Sequence, residues 1–299
     1  MPETTFKSGF VSIVGRPNVG KSTLLNTIIG EKIAIVSDKP QTTRNKILGI
    51  KNIPGAQVVF FDTPGIHKPR HKLNEYMVKT ALSTLEEVDI ILFMIEAGKP
   101  SGPGDKYIVD LLSTVRKPVF LLINKIDLVQ KEMVLPQIDE YRQLYKFAEF
   151  FPISALYKDN IDRLLDSLVK QLPEGPQYFP EDIATDQPMR FIASEIIREK
   201  IFQLTYQEIP YSIAVGIEDF KEREERNIVY IRGVIFVERD SQKGIIIGKG
   251  GTMLKKAGQL AREELEAIMG IKVFLELWVK VKDKWQSDEQ VLKMLGYKG

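Results

Sequence analysis

Eight residues near the start of the chain, GRPNVGKS at 15–22, have the types and spacing of a phosphate-binding loop. Gly15, Gly20, Lys21 and Ser22 fit the pattern G-x-x-x-x-G-K-[ST], and the loop lies between a predicted strand and a predicted helix, as the pattern requires. In such a loop the backbone N–H groups and the helix N-terminus bind phosphates, the lysine reaches the outer phosphates, and the serine hydroxyl binds Mg²⁺. A chance glycine turn is the alternative, and the strand–loop–helix context argues against it.

Two later segments are predicted to respond to a γ-phosphate. Asp62 and Gly65, the first and last residues of DTPG, follow a predicted strand. The carboxylate can reach the Mg²⁺ shell, and the glycine N–H can contact the γ-phosphate. The polar segment SDKPQTTRNK at 37–46 offers Thr42 and Thr43. One of them would close over Mg²⁺ and make the segment a switch, with Thr42 slightly preferred. The alternative is that both threonines only begin an edge strand.

A third pair of motifs specifies the base. NKID at 124–127 ends a predicted strand, so its side chains lie at the sheet edge where α/β folds bind ligands. Asp127 can accept hydrogen bonds from N1–H and the 2-amino group of guanine, and adenine lacks both donors. The wrong base would leave a buried carboxylate unpaired, a defect that sites of this kind reject by ~10⁴-fold or more. SAL at 154–156 can contact guanine O6 through its backbone. Together the motifs predict a GTPase.

The residue after DTPG affects the mechanism of hydrolysis. It is Ile66, where Ras-like GTPases usually place a glutamine that orients the attacking water. Isoleucine has no polar group for this task, so we expect slow intrinsic hydrolysis with the water held by backbone, switch-loop or partner groups. His67 and His71 could chelate a metal if they lay on a helix, but Pro69 between them favours a solvated loop.

The predicted site of GTP binding and hydrolysis can be given in full. The nucleotide-binding candidates are Gly15, Arg16, Pro17, Asn18, Val19, Gly20, Lys21, Ser22, Thr23, Asp62, Gly65, Asn124, Lys125, Asp127, Ser154, Ala155 and Leu156. The catalytic positions are Lys21, Thr42, Thr43, Gly65 and Ile66, and the Mg²⁺ ligands are Ser22, Thr42 and Asp62.

A second glycine loop, GIIIGKGG at 244–251, lacks the G-K-[ST] ending and has no second NKxD motif after it. It matches G-x-x-G, the turn with which KH domains clamp about four nucleotides of backbone. No acidic residue occurs between Ser241 and Arg262, and a helix N-terminus favours phosphate. A solvated helix face is the alternative. The RNA-binding candidates are Lys243, Ile245, Ile246, Ile247, Gly248, Lys249, Gly250, Gly251, Lys255, Lys256 and Arg262.

Composition sets limits on the whole chain. Its 299 residues predict about two domains at ~150 residues each. With 43% apolar residues and a net charge of +2, it should be globular, and any nucleic-acid or membrane contact must come from a local patch. Cysteine is absent, which excludes disulfides and suits a reducing cytoplasm. The N-terminus lacks a signal-peptide pattern, and the longest apolar stretch, at 90–95, is far below the ~20 residues of a membrane span.

The elements that position these motifs are predicted in two domains. Over 1–172, strands alternate with helices, which indicates an α/β GTPase domain with a mostly parallel sheet. Its predicted strands are 10–15, 58–62, 90–97, 119–124 and 150–154, its clearest helices are 74–87 and 160–172, and 46–52 is predicted as an antiparallel edge strand beside 58–62.

A proline-rich linker is predicted at 173–188 and an α+β domain at 189–299. The elements predicted for the second domain are a helix at 189–205, strands at 211–220 and 227–238 joined by the turn KEREER, a helix at 252–269, a strand at 272–282 and a tail helix at 286–295.

These motifs resemble those of the Era family of bacterial GTPases. The resemblance runs from about Gly9 to the C-terminus and is carried by GRPNVGKSTLLN, PQTTRNKILGI, FDTPGIH, LINKID, PISAL, RFIASEIIREKIF, EIPYSIAV, IIIGKGGTMLKK and LELWVKVKDKW. It implies a Ras-like P-loop GTPase domain joined to a type II KH domain, with GTP or GDP and Mg²⁺ as ligands. It also implies binding to the 3′ region of small-subunit (16S) ribosomal RNA during assembly of the 30S subunit. Family members lack the glutamine too.

The resemblance further implies peripheral contact with the inner membrane, which the sequence supports only through Lys280, Lys282 and Lys284. We expect a monomer in which nucleotide state controls RNA binding. Two rivals remain: an enzyme that phosphorylates a small molecule, which Asp127 and the lack of a substrate domain argue against, and a switch whose KH-like domain binds a protein.

Overall fold

The computed structural model describes residues 5–37, 39, 41–67, 69, 71–223 and 227–297, and the chain forms two compact units. The first unit comprises residues 1–34, 40–69 and 77–186, and the second comprises 35–39, 70–76 and 187–299. Two short pieces of the predicted GTPase domain therefore group with the second unit. Residues 38, 40, 68 and 70 of the predicted switch and histidine segments, and 224–226 of the predicted charged turn, lie outside the described residues.

The first unit is built on a six-stranded sheet in the order β2-β3-β1-β4-β5-β6. Its strands are β1 (Lys7–Gly15), β2 (Ile47–Ile53), β3 (Ala56–Asp62), β4 (Ile90–Glu96), β5 (Val119–Asn124) and β6 (Glu149–Ile153). All neighbours pair in parallel except β2 with β3. Only two residues connect β2 to β3, and a connection this short can join only antiparallel strands. The predicted antiparallel edge strand is therefore confirmed.

Five helices cover this sheet: α1 (Lys21–Ile29), α2 (Lys72–Glu87), α3 (Pro103–Leu112), α4 (Val134–Leu144) and α5 (Ile161–Gln171). One core cluster takes Ile91, Phe93 and Ile95 from β4 together with residues of α2, α3 and α4. The alternate residues Ile90 and Leu92 are equally buried. Both faces of the sheet are therefore covered, which leaves the carboxyl ends of its parallel strands as the open edge for a ligand.

The predicted linker lies along the first unit as far as residue 186. It has no helix or named strand, yet its backbone is fixed by the buried amide of Gln57, whose Oε1 accepts from the N–H groups of Tyr178 and Phe179 and whose Nε2 donates to the Phe179 carbonyl. Ile50 N–H donates to the carbonyl of Ala184 at 2.8 Å. An edge strand with free backbone groups accepts such a chain readily, so most of this proline-rich segment belongs to the first unit.

The second unit contains the predicted helices and strands in their predicted chain order, with two additional helices, Ile209–Ser212 and Asp240–Ile247. Its elements are α6 (Met189–Leu204), the single turn α7 (Ile209–Ser212), β7 (Ala214–Arg223), β8 (Ile228–Val237), α8 (Asp240–Ile247), α9 (Thr252–Met269), β9 (Lys272–Val281) and α10 (Glu289–Met294). The sheet order is β7-β8-β9, with β7 antiparallel and β9 parallel to β8. Side chains of α6, α8 and α9 form a core with the inward residues of the sheet. The α+β class predicted for this half is thus confirmed.

Candidate functional site

The phosphate loop joins the end of β1 to the start of α1 and is shaped by backbone that favours small residues. Asn18 and Gly20 both have positive φ, 66° and 107°. A Cβ atom on Gly20 would lie 2.2 Å from Nδ2 of Asn124, so only glycine allows the loop to approach the end of β5. The loop amides therefore precede the N-terminus of α1, the arrangement that binds phosphate.

Lys21 lies inside this loop with its ammonium buried. Its Nζ donates to the carbonyl oxygens of Arg16 at 2.9 Å and Gly15 at 3.3 Å. Burial lowers the pKa of Lys21 to about 8, and the nearby charge of Asp62 opposes this shift. A phosphate anion placed over the loop would stabilise the protonated form.

Three oxygen-bearing side chains converge beside the loop. The hydroxyls of Ser22 and Thr43 lie 2.8 Å apart, and each is within hydrogen-bonding distance of Oδ2 of Asp62, at 2.6 and 3.2 Å. The other oxygen, Oδ1, is buried and has no hydrogen-bond partner among the described residues. Burial raises the pKa of Asp62, and Lys21 opposes that rise. Hydroxyls with a carboxylate form a donor set that suits a hard cation such as Mg²⁺.

The threonine in this cluster is Thr43, whereas the sequence slightly favoured Thr42 as the Mg²⁺ ligand. Both side chains are largely buried, but the hydrogen bonds to Ser22 and Asp62 come from Thr43. Which of two adjacent threonines faces the cluster depends on the local backbone and on packing against Ser22 and Asp62. Sequence alone could not choose between them.

The segment after Asp62 explains what Ile66 does. A Cβ atom on Gly65 would lie 2.8 Å from the Pro17 nitrogen, so glycine is needed for this close approach to the phosphate loop. Ile66 N–H donates to the Gly15 carbonyl at 3.3 Å, and its side chain is buried in the core of the first unit. Its side chain therefore packs in the core, and its place among the catalytic positions stays a prediction.

His67 is half-buried rather than fully solvated. Its Nδ1 lies 2.7 Å from the carbonyl oxygen of Gly65, and its Nε2 lies 3.3 Å from Nε2 of Gln41. A carbonyl oxygen can only accept, so Nδ1 carries the proton and the other ring nitrogen accepts from the amide. His67 therefore fixes the backbone next to Gly65.

Asn124 links the base motifs to the phosphate loop. Its Nδ2 donates to the Val19 carbonyl at 2.8 Å, and its Oδ1 accepts from Ala155 N–H at 2.9 Å. Thr27 of α1 also donates to the Ala155 carbonyl, at 2.7 Å. The side-chain amide of Asn124 therefore connects the NKID segment to the phosphate loop and to the SAL segment. No motif in the sequence pointed to the part that Thr27 plays.

Asp127 and Lys125 are oriented by their own partners. Ser154 Oγ donates to Oδ1 of Asp127 at 2.5 Å, which leaves Oδ2 for a base. Lys125 has a positive φ of 68°, and its Nζ lies 3.3 Å from Glu96 at the end of β4. NKID and SAL, whose residues Asp127 and Ser154 are 27 positions apart in sequence, are therefore one site. The side chain of Leu156 is exposed at the edge of this site.

The side chain of Arg16 points away from the loop that carries it. Its Nε lies 3.0 Å from Oδ1 of the buried Asp105 in α3. Arg16 can therefore contribute backbone groups to the nucleotide while its charge is held elsewhere. The sequence analysis did not identify Asp105, which lies in the first turn of α3.

The second glycine loop separates α8 from α9. Gly248, Gly250 and Gly251 have positive φ values of 73°, 61° and 78°. A Cβ atom on Gly248 would lie 2.8 Å from Met253 Cβ, whereas Gly250 and Gly251 face open space. Lys249, in the same turn, is exposed. The loop thus presents bare backbone, an exposed cation and the N-terminus of an 18-residue helix at one place.

Two of the RNA-binding candidates do not fit this surface. Ile246 is fully buried in the core of the second unit, whereas Ile245 is 51% exposed and Ile247 is half-buried. Arg262 lies about 16 Å along α9 from the loop, at about 1.5 Å per residue, and its guanidinium pairs with Glu266 at 2.8 Å. Lys255 and Lys256, in the first turns of α9, are both exposed.

Two protein-family models match separate parts of the chain. A family model described as "50S ribosome-binding GTPase" matches residues 10–125, and a model of the KH domain matches residues 208–286. The first match spans the phosphate loop and reaches Lys125. The second match contains the whole G-x-x-G loop.

Full-length relatives are also similar. GTPase Era of Geobacter metallireducens is 58% identical over 99% of this chain and 100% of its own length, and GTPase Era of Lacticaseibacillus paracasei is 57% identical over 97% and 96%. The solved structure of a tyrosine-to-alanine variant of Aquifex aeolicus Era bound to GDP·AlF₄⁻ matches with a TM-score of 0.95 at 47% identity, covering 98% of this chain and 100% of that one. A second solved structure, of Era with MgGDPNP and nucleotides 1506–1542 of 16S ribosomal RNA, matches with a TM-score of 0.96 at the same identity and coverage. With such identity over the full length of both chains, and with a nucleotide site and a KH loop in the expected places, this chain belongs to the Era family of GTPases.

Proposed function

We propose that this GTPase binds the 3′ region of small-subunit ribosomal RNA through its KH unit and assists assembly of the 30S subunit. The observation that carries the proposal is the loop at Gly248–Gly251, where exposed backbone, Lys249 and the N-terminus of α9 coincide. A similar full-length structure contains 16S ribosomal RNA and a GTP analogue, which supports this choice of RNA.

The nucleotide site supplies the binding groups for GTP or GDP with Mg²⁺. The hydroxyls of Ser22 and Thr43 would hold the ion. The Asp62 carboxylate would accept hydrogen bonds from the water molecules that surround the ion. The ion would neutralise charge between the β- and γ-phosphates. Lys21 would contact the outer phosphates, and Asp127 would recognise the base.

Hydrolysis is expected to be slow without a partner. The side chain of Ile66 is in the core, so orientation of the attacking water falls to backbone groups such as those around Gly65 or to a bound partner. We therefore expect intrinsic turnover well below ~1 s⁻¹, whereas a partner-stimulated GTPase reaches roughly 5–20 s⁻¹. Single-turnover hydrolysis above ~1 s⁻¹, measured with the isolated protein, would contradict this.

RNA and nucleotide are proposed to influence each other. If GTP with Mg²⁺ raises affinity for RNA, RNA must raise affinity for GTP by the same factor, because the coupling free energy is reciprocal. The measurement is RNA affinity with GDP and with a non-hydrolysable GTP analogue plus Mg²⁺, with a scrambled RNA as the control for sequence. Equal affinity in both nucleotide states would refute the coupling.

A matched pair of variants tests the loop. Asparagine and aspartate both tolerate a positive φ, so Gly251→Asn and Gly251→Asp differ mainly in charge. The carboxylate would repel phosphate, so Gly251→Asp should lose RNA while Gly251→Asn keeps most of its affinity, and both should retain GTPase activity. If both variants bind RNA normally but fail to associate with 30S subunits, a protein partner is the better interpretation of the KH unit.

We further propose that the chain acts as a monomer in the cytoplasm with peripheral contact with the inner membrane. None of the described helices is long and apolar enough to cross a bilayer. Lys282 and Lys284 are exposed and could meet anionic headgroups. Sedimentation velocity tests whether the chain is a monomer, and flotation with anionic vesicles tests membrane contact. If the double variant Lys282→Ala/Lys284→Ala binds vesicles as the wild type does, these two lysines do not form the contact.

A further inference from the structure

The sheet of the second unit has one face packed on helices and another that faces away from them. Val229 and Ile231 of β8 and Val273 of β9 point into the core. Their neighbours Tyr230 and Phe274 pair across the strands on the opposite face, since successive side chains alternate between faces. At the other end of the same face, Gly216 lies against Leu295 from the C-terminal segment.

On this face, β8 and β9 carry aromatic rings and charged groups, and we call this part of it the aromatic face: Tyr230, Arg232, Phe274, Glu276 and Trp278. The rings of Tyr230 and Phe274 stack, with centroids 5.8 Å apart and planes 19° from parallel. Phe274 is 57% exposed and Trp278 is 54% exposed. Exposing two large rings on one strand is unfavourable in water, so a cluster of this kind marks an interaction surface.

Polar contacts hold the rings in place. Glu276 accepts from the Tyr230 hydroxyl and, at 2.8 Å, from Nε1 of Trp278. The guanidinium groups of Arg232 and Arg223 lie 5.7 and 5.9 Å from the centroid of the Tyr230 ring. Because the rings are already oriented, stacking a planar ligand on them costs the protein little side-chain entropy.

We propose that the aromatic face is a second RNA-contacting surface, which stacks unpaired bases that flank the nucleotides held by the G-x-x-G loop. This rests on the proposed RNA-binding function. Aromatic side chains on an open sheet, with arginines beside them, are the means by which other domains stack single-stranded bases. Arg223 is also complementary in charge to a phosphate backbone, whereas the guanidinium of Arg232 is paired with Asp219 and Glu276.

The position of the aromatic face beside the G-x-x-G loop, and the length of the RNA in a similar structure, favour RNA as the molecule that binds this face. β9 is an edge strand, and both α8 and α9, which flank the G-x-x-G loop, pack beside it. A strand of RNA leaving that groove can therefore pass over β9 to Phe274 and Trp278. The RNA in the similar solved structure runs from nucleotide 1506 to 1542, far more than the about four nucleotides that one G-x-x-G loop clamps.

The test compares a short RNA that fills only the groove with a long RNA that has single-stranded flanks, using the full chain. The double variant Phe274→Leu/Trp278→Leu keeps apolar side chains but removes both rings. It should bind the short RNA as the wild type does and the long RNA roughly 10- to 100-fold more weakly, as loss of one or two stacked bases predicts. Tyr107→Leu, which removes an exposed ring from α3, is the matched control and should change neither affinity.

Tryptophan fluorescence gives a second readout in the unmodified protein. The chain has two tryptophans, Trp278 exposed and Trp285 fully buried, so quenching by acrylamide reports mainly Trp278. The long RNA should protect it, and the short RNA should not.

Four other results would contradict the proposal or the function on which it rests. Unchanged affinity of the double variant for the long RNA overturns the proposal, and so does an equal loss for both RNAs, which would make the rings supports of the groove. Normal RNA binding with loss of 30S association would assign the face to a protein. A wild-type chain that binds neither RNA would instead overturn the proposed function itself.

Discussion

Arg16 of the phosphate loop and Asp105 of α3 form an ion pair in which the carboxylate is completely buried, with Nε and Oδ1 3.0 Å apart. The same carboxylate accepts from Gly102 N–H at 2.9 Å through its other oxygen. A Cβ atom on Gly104 would lie 3.0 Å from Cδ of Arg16, so the start of α3 leaves room for the arginine. The phosphate loop is therefore fixed from outside as well as by its own turns.

Asp105→Asn should loosen the loop without removing the hydrogen bond to Gly102, because asparagine keeps an accepting oxygen. Breaking a buried pair costs about 3–5 kcal/mol, but the Arg16 side chain is 31% exposed, so solvent reduces the effect to about 1 kcal/mol. We expect GDP to dissociate roughly five-fold faster, measured by displacement of a fluorescent nucleotide. Asp139→Asn, which breaks the exposed pair with Arg142, is the control and should leave the rate unchanged. Equal rates in all three proteins would remove the anchoring role.

The position of Thr43 predicts unequal effects for two adjacent threonines. Its hydroxyl lies 3.2 Å from Asp62, so Thr43→Ala should weaken Mg²⁺-dependent binding of a GTP analogue about 10- to 100-fold, the cost of losing a contact with a charged group. Binding of GDP should change less, because switch segments close on the γ-phosphate. Thr42→Ala is the matched variant and should have a smaller effect. The reverse order would restore the preference for Thr42 that was based on sequence.

The threonines show how far sequence could lead. Sequence patterns located the phosphate loop, DTPG, NKID and most strands of the first domain, because motif spacing and hydrophobic periodicity are local properties of the chain. The direction of individual side chains depends on packing between distant segments, so Ile66 and Ile246 in the cores and Arg16 on Asp105 could not be foreseen. The course of the proline-rich segment is a similar case, since it depends on Gln57, 121 residues before Tyr178.

The orientation of Asp127 predicts an exchange of base specificity. Ser154 holds one carboxylate oxygen at 2.5 Å, so the other is directed towards the base. In Asp127→Asn an amide donor replaces that acceptor. Guanine nucleotides should then bind about 10³-fold more weakly or worse, because two donors of the base meet a donor, whereas xanthine, which has a carbonyl in place of the amino group, should bind better. Competition between GDP and xanthosine diphosphate measures this, and an unchanged preference for guanine would show that other groups recognise the base.

The lowered pKa of Lys21 predicts that GDP affinity depends on pH. In the nucleotide-free protein its pKa is about 8 because burial disfavours the charged form. Phosphates bind the protonated form and raise that pKa, so above about pH 8 binding must take up a proton. Linkage then weakens the affinity by at most about ten-fold per pH unit. The dissociation constant should be nearly constant from about pH 6.5 to 7.5 and rise several-fold by about pH 9, with calorimetry in two buffers showing proton uptake.

Lys21→Arg provides the control for this pH profile. A guanidinium stays protonated throughout the range, so the variant should bind GDP more weakly than the wild type at about pH 7 but with a flat profile up to about pH 9. If the wild type is equally flat, Lys21 stays charged in the free protein and its interaction with Asp62 outweighs burial. If both proteins weaken in parallel, the titrating group lies elsewhere, and the buried ammonium does not set the pH range over which the site binds phosphate.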